Sequence, residues 1–238
     1  MRLVSDKTGR FRQRPHYEPK ELDYECEQII TDFMRSSCGD LILPIPTDAL
    51  TKLIERDVAD LDLYADLSSA GADVHGVTEF FVDRKPRVRI AKELSEQERR
   101  ENRLRTTLTH EYGHVKFHAY LWQAESLSPG LFPQLTDNSP AMCKRDAILN
   151  APTADWMEWQ AGYACGALLM PITSIKRMVA AFCEEHGVFG RIRTGSTHDS
   201  LLRIKVGQTF NVSKEAAGVR LAKLEILTEE DPGEVLLN

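Results

Sequence analysis

A chain of 238 residues in which 36 Asp and Glu outnumber 30 Lys and Arg, for a formal net charge of −6, is long enough to bury a real core in one or two domains. With 42% hydrophobic and 28% charged residues and no apolar run long enough to cross a bilayer, it reads as a soluble enzyme. Met1 to Lys7 lack the apolar core of a secretory signal, and the five cysteines (Cys26, Cys38, Cys143, Cys165 and Cys183) show no Cys-x-x-Cys spacing, so we expect a cytoplasmic protein without a disulfide framework or structural zinc cluster.

Residues 1–17 are basic and rich in turn formers and read as an arm. From Glu21 to Ser36, Leu22, Cys26, Ile29, Ile30, Phe33 and Met34 recur at helical spacing, and Gly39 follows as a stop. Thr47 is placed to cap a shorter helix holding Leu50, Leu53 and Ile54. Leu61 to Leu67, Glu79 to Val82 and Arg87 to Ala91 read as three strands, the last two joined as a hairpin across Asp83 to Pro86. One of them could offer its edge to an extended peptide. The pattern predicts an α+β fold with a small antiparallel three-stranded sheet on a helical core.

Ser95-Glu96-Gln97-Glu98 has the form of a capping box, and neither proline nor glycine follows until Gly113, so a helix is expected here. Within it, residues 110 to 114 read His-Glu-Tyr-Gly-His. On a helix His110 and His114 lie one turn apart on one face, where both imidazoles can reach one Zn²⁺ at about 2.0–2.1 Å. Glu111 beside them is placed as a general base toward a metal-bound water, which points to hydrolysis. His118 extends the spacing but sits about 12 Å along the axis from His110, too far to share the ion. It reads instead as a half-buried histidine or one that orients a ligand. An adamalysin-like extension would need glycine at 117 and histidine at 120, where Phe117 and Tyr120 stand.

A catalytic zinc site generally takes three protein ligands. Asp155 to Pro171 reads as a second helix, with Asp155 as N-cap and Glu158 in the first turn. Ala161, Gly162, Cys165 and Gly166 follow, and helical glycines cost about 1 kcal/mol each, which close packing against the Gly113 helix would offset. Glu158 could then reach the metal, or it could complete a capping box with Asp155; spacing leaves both open. The segment Asn138 to Cys143 could loop near the metal. A Cys143 thiolate there would take the water's place, against the plainer reading of a loop or core cysteine.

Beyond Pro171, three helical patterns follow, marked by Ile175 to Phe182, Leu201 to Val206, and Ala216 to Leu224 with Ser213 as cap. Phe210 to Ala217 has the look of a helix-turn-helix turn, and Arg203, Lys205, Lys214, Arg220 and Lys223 supply positive charge. The acidic chain, ending through Glu229, Glu230 and Asp231, favours a structural or partner-docking hairpin over direct DNA binding. The expected organisation is an arm (1–17), a metallopeptidase domain (18–171) and a C-terminal helical segment with an acidic tail (172–238).

Arg105 to His114, Glu158 to Ala164 and Leu168-Leu169-Met170-Pro171 together resemble the two separated motifs of the ImmA/IrrE family of metallopeptidases. The resemblance covers the chain from the first helix to Pro171. It implies a zincin-like core in which His110, His114 and Glu158 bind zinc and Glu111 is the general base. It departs at Thr106, Thr109, Gly162 and Tyr163, none a ligand position; the family has asparagine at the place of Gly162, so any ligand-orienting role of that amide is missing.

The resemblance implies an endopeptidase whose substrate is a regulatory protein, typically a helix-turn-helix repressor, cut in response to stress or mobile-element signals. The alternative is a metal-bearing interaction or DNA-binding module that acts without proteolysis. As oxyanion donors the sequence offers Tyr112, Tyr120, Tyr163 and His75.

Overall fold

The computed structural model describes residues 1–71, 73–126, 139–144 and 155–229, so Asn138 and the acidic tail from 230 onward lie outside the described residues. Strands β1 (Arg2–Ser5) and β2 (Gln13–His16) pair antiparallel. The segment read as an arm is therefore a hairpin, and its Phe11 packs edge-on against Trp122 at 4.9 Å and Trp156 at 6.2 Å. Helix α1 (Pro19–Cys38) starts with a capping box between Glu18 and Glu21 and stops at Gly39, whose φ of 84° suits glycine. It buries Leu22, Cys26, Ile30, Phe33 and Met34 of the predicted stripe, while Ile29 is partly buried at its edge. Helix α2 (Thr47–Asp57) is capped at Pro46 rather than Thr47, because the Thr47 hydroxyl is engaged 2.7 Å from Glu101 Oε1.

The sheet is mixed, not antiparallel. Strand β3 (Asp60–Ala65) is followed by β4 (Val74–Phe80) and β5 (Arg87–Ala91). The last two form the expected hairpin, with Glu79 opposite Arg87 and Gly76 opposite Ile90. β5, however, inserts between its predecessors and runs parallel to β3. Burial accounts for this: Val88 and Ile90 are fully enclosed and belong at the centre, where Arg87 also faces Asp60 on one neighbour and Glu79 on the other.

After a single helical turn, α3 (Lys92–Ser95), comes α4 (Glu101–Ser126), the histidine helix. The capping box expected at Ser95 does not form, since the Ser95 hydroxyl donates to Leu63 O at 2.7 Å, and α4 begins later. Strand β6 (Ser139–Lys144) adds a fourth, antiparallel strand beside β4, giving the order β3-β5-β4-β6 and placing Cys143 opposite Gly76.

Helix α5 (Trp156–Leu169) lies against α4. A Cβ on Gly113 would meet Ala161 Cα at 3.0 Å and Ala164 Cβ at 3.3 Å, so the small residues on both helices serve the close approach expected of them. Then follow α6 (Ile172–His186), β7 (Ile192–Arg193), α7 (Thr197–Phe210), α8 (Lys214–Lys223) and β8 (Leu227–Thr228), with Ser213 capping α8 through Ala216 N. Ile175, Phe182, Leu202, Val206, Phe210 and Leu221 belong to the same hydrophobic core as α1, α4 and α5. No single described helix is long and apolar enough to cross a membrane.

Candidate metal centre

Two helices build the site. On α4 the four-residue spacing stacks His110 and His114 on one face, and both are fully buried. From the first turn of α5, Glu158 reaches across to them with 14% of its side chain exposed, which marks the side of the cluster open to solvent. His110 Nε2 lies 3.1 Å from Glu158 Oε2, His114 Nε2 lies 3.3 Å from Glu158 Oε1, and the two Nε2 atoms are 3.2 Å apart. Tetrahedral donors about 2.0–2.1 Å from one ion stand roughly 3.3 Å from each other, so these separations fit a single cation. The buried His110–His114–Glu158 cluster could thus hold a metal ion, and it is the set of three that the family resemblance implies.

The two readings of Glu158 resolve by atom. Its backbone N–H takes the Asp155 cap, while its carboxylate goes to the imidazoles instead of turning back to close a capping box. Burial works to raise the Glu158 pKa, but the charge of His114 and the hydrogen bonds with His110 and His114 outweigh it and hold the carboxyl well below its ordinary range. Burial lowers His114 too, yet the Glu158 charge prevails and raises it. At His110 burial dominates, and its pKa falls. An ionised carboxylate facing buried imidazoles is a site that favours positive charge.

Glu111, the next residue on α4, is fully buried against β4. Thr78 Oγ1 donates to Glu111 Oε2 at 2.5 Å. Gly76 leaves the room this carboxylate needs, since a Cβ there would come within 2.9 Å of Glu111 Cδ and 2.8 Å of Thr107 Cγ2. Sequence reasoning missed both Gly76 and Thr78 because it began this strand at Glu79. A glycine between Val74 and Val77 was the available sign of a close backbone approach.

His118 stands outside the three-donor cluster. It is fully buried, with Nδ1 3.1 Å from His114 Nδ1. Of the candidate oxyanion donors, Tyr112 donates to Asp57 Oδ2 at 2.7 Å and Tyr163 to Asp23 Oδ2 at 2.9 Å, so both hydroxyls are committed away from the cluster. Tyr120 is 37% exposed, and His75 stands on β4 beside Gly76.

Most of the cations proposed for a DNA-binding face are engaged. Arg203 pairs with Asp199, Lys205 with Glu185, and Arg220 is buried against Asp23, while Lys214 is exposed. α8 also buries Ala216, Ala217, Gly218, Arg220 and Leu221. Comparison of the chain with protein-family models and with curated proteins gave no match.

Proposed function

We propose that this chain is a cytoplasmic zinc endopeptidase with a zincin-like core that cuts a regulatory protein, its substrate class being a helix-turn-helix repressor. The observation that carries the reading is the convergence of His110 Nε2, His114 Nε2 and a Glu158 oxygen at mutual separations of 3.1–3.3 Å, with Glu111 next in sequence to the first of them. Two nitrogens and one carboxylate make a donor set suited to Zn²⁺ in a catalytic rather than a closed structural site. The substrate class rests on the resemblance to the ImmA/IrrE family alone.

Zinc in this set supplies Lewis-acid polarisation of a peptide carbonyl and a water whose pKa falls to about 7. The protein does the rest. His110, His114 and Glu158 hold the cation, and Glu111 accepts a proton on its carboxylate and returns it to the departing amine. Thr78 keeps that carboxylate aimed by its 2.5 Å hydrogen bond, and Gly76 gives it space. Burial of Glu111 beneath β4 removes competing water from the proton path.

The alternative, a regulatory module that acts without proteolysis, finds little support in the C-terminal helices, whose cations are largely paired or buried. The deciding experiment incubates the zinc-loaded protein with a candidate repressor and compares Glu111→Gln. We expect cleavage by the native chain and binding without cleavage by the variant at unchanged zinc content. A Glu111→Gln protein that relieves repression fully would overturn the peptidase reading in favour of the alternative.

A further inference from the structure

A line of buried polar groups runs from the metal cluster to the N-terminal hairpin. His114 Nδ1 lies 3.1 Å from His118 Nδ1, His118 Nε2 lies 3.0 Å from Gln160 Oε1, and Gln160 Nε2 lies 2.9 Å from the backbone oxygen of Pro15 on β2. His114 and His118 are fully buried and Gln160 is 1% exposed, so water does not offer these groups alternative partners. His118 is further fixed edge-on against Trp156, ring centres 5.4 Å apart.

The polarity of this line follows from its far end. A backbone carbonyl only accepts, so the Gln160 amide must present its NH₂ to Pro15 and its oxygen to His118. That oxygen only accepts in turn, which puts a proton on His118 Nε2. In a neutral ring that proton is the only one, so His118 Nδ1, 3.1 Å from His114 Nδ1, is a bare lone pair. His114 must then donate from Nδ1. Its Nε2, the atom 3.2 Å from His110 Nε2 and 3.3 Å from Glu158 Oε1, is thereby left to bind through its lone pair.

We propose that His118 and Gln160 are positioning residues that set the tautomer of His114 for metal binding, with the Pro15 carbonyl of the N-terminal hairpin as the fixed point of the relay. The inference rests on the metal-site part of the proposed function and not on the peptidase chemistry. It gives residues 2–16 a part in the metal centre although they supply none of its donors. The same device is lacking at His110, whose Nδ1 has no hydrogen-bond partner among the described residues.

Two measurements on the full chain test it. Long-range ¹H–¹⁵N spectra of histidine-labelled, metal-free protein at mildly alkaline pH read the tautomers directly. We expect the proton of His118 on Nε2 and that of His114 on Nδ1; a His118 proton on Nδ1 would overturn the proposal without any variant being made. Competition with a chromophoric chelator then reads zinc affinity. Gln160→Leu, which removes both the acceptor for His118 and the donor to Pro15, should weaken binding by about 10–100-fold, whereas Gln160→Glu, which as the neutral acid still accepts from His118 and donates to the Pro15 carbonyl, should stay within a few-fold of the native chain. Equal losses in the two variants, or none in Gln160→Leu, would reject the relay. A native chain without zinc affinity would instead reject the metal reading, and the tautomer spectra would still decide the relay.

Discussion

Gly76 lies directly over the carboxylate of Glu111, so close that a single added methyl group would stand 2.9 Å from Glu111 Cδ. The backbone of β4 and the proposed general base of α4 therefore occupy one tightly filled space. Gly76→Ala must push Glu111 aside or lift the strand, at a cost of about 1–3 kcal/mol. Displacing a catalytic group by about 1 Å costs on the order of 100-fold in rate. We expect the variant to fold, to bind zinc as the native chain does because the donors sit on α4 and α5, and to lose about 100-fold in turnover. Steady-state kinetics together with metal analysis check this; an active Gly76→Ala enzyme would show that Glu111 has room to spare.

Thr78 acts on the same carboxylate from a different direction. Its hydroxyl donates to Glu111 Oε2 at 2.5 Å inside the core, and a hydrogen bond to a charged group is worth about 1.5–3 kcal/mol. Thr78→Val keeps the shape of the side chain and deletes the donor. Turnover should fall about 10–100-fold with zinc content unchanged, while Thr78→Ser should retain most of the activity. If Thr78→Val turns over like the native chain, the carboxylate is aimed by something else.

Asp23 on α1 and Arg220 on α8 form an ion pair at 2.6 Å with 5% and 1% of their side chains exposed. Tyr163 donates to the second Asp23 oxygen at 2.9 Å, and Arg220 also reaches Met170 O at 3.2 Å. Removing one charge leaves the other buried and unpaired, which costs about 3–5 kcal/mol, whereas an apolar pair of similar volume is often neutral. Asp23→Asn should thus be strongly destabilised in urea unfolding, and Asp23→Leu combined with Arg220→Met should recover much of the loss. Because the pair joins the first helix to the last, one cooperative transition is expected rather than separate melting of residues 172–229. A biphasic curve would contradict that.

The helices and the two clustered histidines were legible because their signals are local, whereas spacing left Glu158 open between metal and cap and the family resemblance singled it out. Spacing by four places two histidines on one face, Asp155 announces the start of α5, and Gly113 with Ala161 and Gly162 announces that the two helices touch. What the sequence hid depends on relations between distant segments. Nothing within Arg87 to Ala91 says that this strand will insert beside Asp60–Ala65 and run parallel to it; that follows from the competition of whole strands for the buried centre. Phe11 in the N-terminal segment could not be placed until Trp122 and Trp156 were brought side by side. The partnership of His118 with Gln160 likewise depends on the register between α4 and α5, which the close contact of Gly113 with Ala161 sets.

Lys223, near the end of α8, gives the fold a pH dependence of unusual sign. Its ammonium lies 5.4 Å from the centre of the Tyr163 ring, and burial, aided by repulsion from Arg220 and opposed by Cys165, draws its pKa down to about 8. In the unfolded chain a lysine titrates near 10.4. Below about pH 8 both states carry the charge, and the folded state bears the full cost of enclosing it. Between about 8 and 10.4 the unfolded chain binds the additional proton, so stability rises with pH across that window and levels off above it. At about 1.4 kcal/mol per pKa unit the gain is at most roughly 3 kcal/mol, less what the aromatic contact returns. Lys223→Met should therefore be more stable than the native chain near pH 7 and lose that advantage near pH 10. Urea unfolding of both proteins at the two pH values isolates the effect, since every other titrating group is common to them. A constant difference between the two curves would mean that Lys223 reaches solvent and keeps its ordinary pKa.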